Sequence, residues 1–133
     1  MARYLLDTNT CIAVMRSHPR AVQRMAALPP GECAISTITS YELFTGVEKC
    51  SIPVKERAKV DLLLRTVAHL MFDSASAKEA ARLRALLESK GQPIGPYDVL
   101  LAGQALASSL ILVTTNTREF TRVPDLTLED WQI

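Results

Sequence analysis

Tyr4-Leu5-Leu6-Asp7-Thr8-Asn9-Thr10 is the stretch on which the reading of this chain turns. Three consecutive apolar residues stop at an acid, with no polar alternation before it. A run of that kind, bounded by a turn signal, reads as a strand buried on both faces. Asp7 then stands at the carboxyl end of a central strand. Open parallel sheets bind ligands at that edge, because the loops leave the strands there and the following helices turn their positive N-termini toward the same crevice.

Outward from this strand, short apolar runs alternate with helical patterns. Strands are expected over 33–38, 67–72 and 110–113, with a small edge strand at 126–128. Thr10 or Asn9 can cap a helix that runs through Arg16. His18 and Pro19 break it before a second helix over 20–28, and Pro29-Pro30-Gly31 form a turn. Thr39 with Glu42 has the spacing of a capping box, as does Ser76 with Glu79. Pro53 opens a helix to about Arg65 that contains Leu62, Leu63 and Leu64. Three apolar residues in a row cannot all face one core, so part of that helix is expected to face a partner subunit. After Ser76, Ala77, Ala80, Leu83 and Leu87 line one helix face, and Gly91 stops the helix. The segment 97–108 is apolar nearly all round, which marks a buried helix. The pattern predicts an α/β sandwich around a mostly parallel sheet of four or five strands, with residues 1–133 forming one domain.

Lys and Arg number 15 against 14 Asp and Glu, a net charge of +1 with no basic run, so charge alone does not announce a nucleic-acid partner. Cys11, Cys33 and Cys50 are odd in number and lack CxxC spacing, which argues against a disulfide framework or a zinc knuckle and fits a reducing cytoplasm. No signal-peptide pattern and no membrane-length apolar run is present, so a soluble intracellular protein is expected.

Four acids fall at strand exits or helix starts: Asp7, Glu42, Asp98 and Glu119. In a parallel sheet these places share one edge. Carboxylates about 4 Å apart would repel by roughly 4 kcal/mol per pair at an effective dielectric near 20. A divalent cation relieves this while keeping the charges, and hard oxygen ligands select Mg²⁺ or Mn²⁺ over zinc. Each acid also has a structural alternative: Glu42 and Glu119 repeat capping-box spacing after Thr39 and Asn116, and Asp98 sits where a negative charge suits the helix dipole. Asp7 is hardest to explain that way. Other chemistries are poorly supplied. His18 and His69 lack HExxH spacing, and neither a GxSxG elbow nor a GxxxxGK[ST] loop occurs.

LLDTNT at 5–10, TSYELFTG at 39–46, GPYDVLLAG at 95–103 and VTTNTREF at 113–120 together resemble the four motifs of a PIN domain, in particular the VapC-type toxins of bacterial toxin–antitoxin modules. The resemblance implies a metal-dependent endoribonuclease with an acidic pocket of Asp7, Glu42, Asp98 and Glu119, supported by Asn116 and Thr114. It further implies Mg²⁺ or Mn²⁺ held by Asp7 and Asp98, with Glu42 orienting the attacking water. The implied substrate is structured RNA, a tRNA or a ribosomal RNA loop, and the implied partners are a VapB-type antitoxin and a second copy of the chain, in a larger complex. Asn116 departs from members that carry an acid there, which bears on a second metal. Arg16, Arg20 and Arg118 are candidates for holding RNA backbone.

Two other readings use the same residues. A haloacid-dehalogenase-type phosphatase also begins with a strand ending in Asp-x-Asp-x-Thr, but the third position here is Asn9, which cannot act as the general acid. A non-catalytic binding module would use the acids only as helix caps and as docking points for basic partner residues. Under the nuclease reading, Asp7→Ala is expected to abolish activity and leave the fold near its original stability.

Overall fold

The computed structural model describes all 133 residues. Strands and helices alternate along the chain as β1 (Tyr4–Leu6), α1 (Thr8–Met15), α2 (Pro19–Ala26), β2 (Cys33–Ser36), α3 (Thr37–Lys49), α4 (Pro53–Thr66), β3 (Ala68–Leu70), α5 (Ser74–Ser89), α6 (Pro96–Ala107), β4 (Ile111–Val113), α7 (Thr117–Phe120) and β5 (Leu128–Glu129). The sheet has the order β3-β2-β1-β4-β5, and every pairing in it is parallel. β1 lies at the centre, with Leu5 beside Ala34 on one side and Leu112 on the other. The chain leaves β1 toward β2 and later returns to its other side as β4. That reversal opens a crevice at the carboxyl ends of β1 and β4.

The burial of β1 on both faces follows from its alternation. Tyr4 and Leu6 join one core with Cys11, Ile35, Leu43, Val60 and Trp131, beneath α1, α3 and α4. Leu5 faces the opposite core with Leu83, Leu101, Leu112 and Phe120, beneath α5 and α6. Trp131 is the largest fully buried side chain and stacks at a tilt on Tyr4, 5.5 Å between ring centroids. No helix is long and apolar enough to cross a membrane.

Several boundaries differ from the sequence expectation for local reasons. β2 ends at Ser36, because the Ser36 hydroxyl accepts the N–H of Ile38 and starts α3 there. The edge strand β5 begins at Leu128. In α5 the buried positions are Ser76, Ala80, Leu83 and Leu87, and Ala77 is exposed. The leucine triplet divides three ways: Leu63 is core, Leu64 is half-buried against it, and Leu62 is 59% exposed. Cys11 and Cys33 are buried and unpaired. Burial, with the Glu32 charge adding to it, pushes the Cys33 thiol up to about 11, and burial raises Cys11 as well, so neither is a reactive thiolate.

The contact between α5 and α6 depends on a glycine. A Cβ on Gly103 would lie 2.5 Å from the backbone N of Ala80, so any side chain there must push the two helices apart. Gly103→Ala is expected to cost about 2–3 kcal/mol. Urea unfolding should show a lower midpoint at unchanged slope; an unshifted midpoint would mean that the helix pair yields freely.

Candidate active site

Asp7 is the first residue after β1 and is 5% exposed. Its N–H donates to the Val113 carbonyl at 3.0 Å, and its Oδ1 accepts the N–H of Thr10 at 2.8 Å. Asp7, not Thr10 or Asn9, is therefore the cap of α1. Thr10 is buried and donates its hydroxyl to the Val113 carbonyl at 3.1 Å, which fastens α1 to β4.

Glu42 has no capping role. Ser36 is the cap of α3, so Glu42 lies beyond the first turn, where no free backbone N–H remains to be satisfied. Its Oε1 instead accepts the Thr8 hydroxyl at 2.7 Å, a bond from the start of α1 to α3. Thr8, which holds Glu42, is not among the candidates that the sequence offers. Its position directly after Asp7 was the only signal.

Asp98 lies in the first turn of α6, whose cap, Gly95, offers no side chain. A Cβ at Gly95 would stand 3.3 Å from Asp98 Oδ2, so the glycine leaves room for the carboxylate. Burial, and after it the charges of Asp7, Glu119 and Glu42, together push the Asp98 carboxyl up to about 6 against the opposing hydrogen bond from Asn116. The four acids predicted from the sequence therefore share one electrostatic field.

Asn116 is where this cluster is tied together. Its side chain does not cap α7; Nδ2 donates to Glu119 Oε2 at 2.8 Å and to Asp98 Oδ2 at 3.4 Å. Thr114 is fully buried, and its hydroxyl accepts the Asn116 N–H at 3.0 Å, which shapes the turn after β4. The capping-box explanation thus fails for Glu42 and Glu119, Asp98 keeps only its place at the start of the α6 dipole, and the acid that does cap a helix is Asp7. The other capping-box spacing fails too: Asp73 caps α5 through Ser76, and Glu79 pairs with Arg82. Arg16, Arg20 and Arg118 are exposed and pair with none of the four acids; Arg20 donates to the terminal Ile133 carbonyl. His18 caps α2 and His69 meets the Leu64 carbonyl, so both have structural partners.

No three of the His, Cys, Asp and Glu side chains converge into a closed metal cage. The carboxylates whose charges act on Asp98 nonetheless offer only hard oxygen donors. Mg²⁺ is commonly held by one or two carboxylates with the rest of its shell water, so a closed cage is not required.

A parallel α/β/α sandwich with acids gathered where β1, α3, α6 and β4 meet is the architecture of one known class. Residues 4–126 match the family model "PIN domain", and the chain belongs to that family. Its relatives are VapC ribonucleases. It is 39% identical to the tRNA(fMet)-specific endonuclease VapC of Shigella flexneri, over 98% of this chain and 99% of that protein. It is 36% identical to ribonuclease VapC2 of Rickettsia felis, over 96% and 97% of the two chains. Among solved structures, it superposes on a chain of the DNA-bound VapBC complex of Salmonella typhimurium with a TM-score of 0.93 at 38% identity, covering 98% of this chain and 99% of that one. The VapBC2 complex of Rickettsia felis, bound to a promoter fragment, gives 0.90 at 34% identity, covering 96% and 98%.

Proposed function

We propose that this chain is the toxin of a toxin–antitoxin pair, a Mg²⁺- or Mn²⁺-dependent endoribonuclease that hydrolyses phosphodiester bonds in structured RNA, with tRNA as its substrate. The observation that carries the reading is the position of Asp98, half-buried in the shared field of Asp7, Glu119 and Glu42 and linked to Glu119 through Asn116. Like charges so placed favour a bound cation over mutual repulsion. Asp7 and Asp98 would hold it, Asp7 through Oδ2, since Oδ1 is engaged by Thr10. Bound there, a divalent cation supplies the charge neutralisation and water activation that phosphodiester hydrolysis needs. Glu42, held by the Thr8 hydroxyl, would orient the attacking water. Asn116 fixes Glu119 and Asp98 relative to one another, and Thr114 fixes Asn116. Arg16, Arg20 and Arg118 remain the candidates for RNA backbone contacts. The free thiols suit a reducing cytoplasm.

The VapBC complexes among the structural relatives support a VapB-type antitoxin as partner, and a second copy of the chain is the further partner proposed. An apolar groove of about 700 Å³ between α1, α2 and α4, lined by Val14, Met15, Val22, Met25, Leu62 and Leu63, is the surface we assign to the antitoxin. Covering Leu62 would remove an exposed leucine from water, so Leu62→Asp should weaken antitoxin binding by at least about tenfold and leave cleavage by the free toxin unchanged. Binding calorimetry checks the first part; undiminished affinity would move the antitoxin elsewhere.

The direct test is to incubate antitoxin-free protein with total cellular RNA and Mg²⁺ or Mn²⁺ and to map the new ends, with EDTA as control. Discrete metal-dependent cuts in tRNA are expected. Intact RNA under all conditions would favour a binding module.

A further inference from the structure

Two tyrosines stand beside the acids, and no step of the reaction described above uses them. Tyr41 directly precedes Glu42 on α3, and Tyr97 directly precedes Asp98 on α6. Their ring centroids are 5.8 Å apart with planes tilted by 56°, and the Tyr97 hydroxyl donates to that of Tyr41 at 3.4 Å. Both remain in solvent: Tyr41 is 55% exposed and Tyr97 40%. Aromatics are sparse in this chain, 5% of its residues, and two of them stand exposed as a pair, with Tyr97 near enough to Glu42 to feel its charge.

Exposed rings beside a phosphodiester-cleaving centre have a natural ligand. Unpaired bases in RNA loops are recognised by stacking on aromatic side chains, and every base has a face for it. The tilt between the two rings rules out a slot that would sandwich a base. It suits a one-sided platform, in which the more exposed Tyr41 offers its face and Tyr97 braces it edge-on through the ring contact and the hydroxyl bond.

Resting on the nuclease reading above, we propose that Tyr41 and Tyr97 form a stacking platform for the unpaired nucleobase next to the scissile phosphate. The pair would make the enzyme a reader of RNA loops and would set which phosphate lies over the acids. Tyr41 and Tyr97 are positioning residues on this account. Neither takes part in proton transfer or cation binding.

The test compares Tyr41→Ala, Tyr41→Leu, Tyr41→Phe and Tyr97→Ala with the parent protein, using tRNA(fMet) as probe. Multiple-turnover cleavage in Mg²⁺ gives KM and kcat. A 2-aminopurine beside the mapped cut reports stacking in EDTA, where no cleavage intrudes. Tyr41→Ala and Tyr41→Leu should raise KM by roughly 5- to 150-fold and abolish the fluorescence quench on binding. The loss should fall on KM rather than kcat, Tyr41→Phe should resemble the parent, and Tyr97→Ala should show a smaller change of the same kind. Leu keeps the bulk without the π face, so a folded Leu variant that retains parental KM and quench overturns the proposal. So does a change confined to thermal stability, which would make the pair a tie between α3 and α6, or one confined to oligomeric state or antitoxin affinity, which would make it a protein contact. Failure of the parent itself to cleave or bind any tRNA would bring down the nuclease reading, and this proposal with it.

Discussion

Asp7→Asn is expected to slow RNA cleavage by about 10³-fold while leaving the fold within about 1 kcal/mol of the parent. The two effects separate because Asp7 has two tasks on two oxygens. Oδ1 caps α1 by accepting the Thr10 N–H, and an asparagine oxygen can do the same, since Asn is as good a cap as Asp. The negative charge on which cation binding depends is lost. Asp7→Ala is a poorer probe: it removes the cap of α1 at a buried position and should itself cost about 1 kcal/mol, which mixes a stability loss into the reading of activity. Rates under single-turnover conditions, read beside urea unfolding of both variants, check this. An Asp7→Asn protein that cuts RNA at the parental rate would remove Asp7 from the site.

Asp98→Asn should be as severe for activity and opposite in sign for stability. The Asp98 carboxyl titrates near 6, above the ordinary 3.8, because burial and then the charges of Asp7, Glu119 and Glu42 disfavour its ionised form. A carboxyl whose folded value is raised holds its proton more tightly in the folded state. Its favourable contribution is complete below about pH 4 and is lost as pH rises through about 6. Above that, in the absence of a cation, ionised Asp98 works against the fold. Asp98→Asn should therefore unfold a few degrees higher than the parent at pH 8, on the order of 1 kcal/mol after allowing for partial solvent exposure, with the difference closing toward pH 4. Saturating Mg²⁺ should abolish the advantage by stabilising only the parent. The same titration predicts that cleavage by the parent falls off below about pH 6, and that raising Mg²⁺ moves this limb to lower pH, because cation and proton compete for one carboxylate. A variant less stable than the parent at pH 8 would mean that Asp98 is held by contacts rather than crowded by charge.

Much of this architecture was legible because a few signals were strong. An apolar run broken by an acid specified β1 and the edge that matters, and the buried helix holding Val99, Leu101, Ala102 and Ala105 declared itself by having no polar face. The sequence marks all four acids as candidates for one edge, and Asp98, Asn116 and Glu119 are indeed linked by hydrogen bonds. Caps were less legible. Ser36 and Thr39, or Asp73 and Ser76, are equally able to cap, and only the backbone angle at each position decides between them. Contacts far apart in sequence were invisible. The Thr8–Glu42 bond spans 34 residues, and the pairing of Tyr41 with Tyr97 spans 56. Leu62, Leu63 and Leu64 showed that something was exposed, but which leucine depended on the rotation of α4 against its core.

The most direct measurement is the cleavage rate of end-labelled tRNA(fMet) by antitoxin-free protein as Mg²⁺ is titrated, with Asp7→Asn and EDTA in parallel. A cation held by Asp7 and Asp98 predicts cuts at one place that appear with Mg²⁺, saturate, and vanish in both controls. Cleavage that persists in EDTA, or that Asp7→Asn performs as well as the parent, would contradict the account.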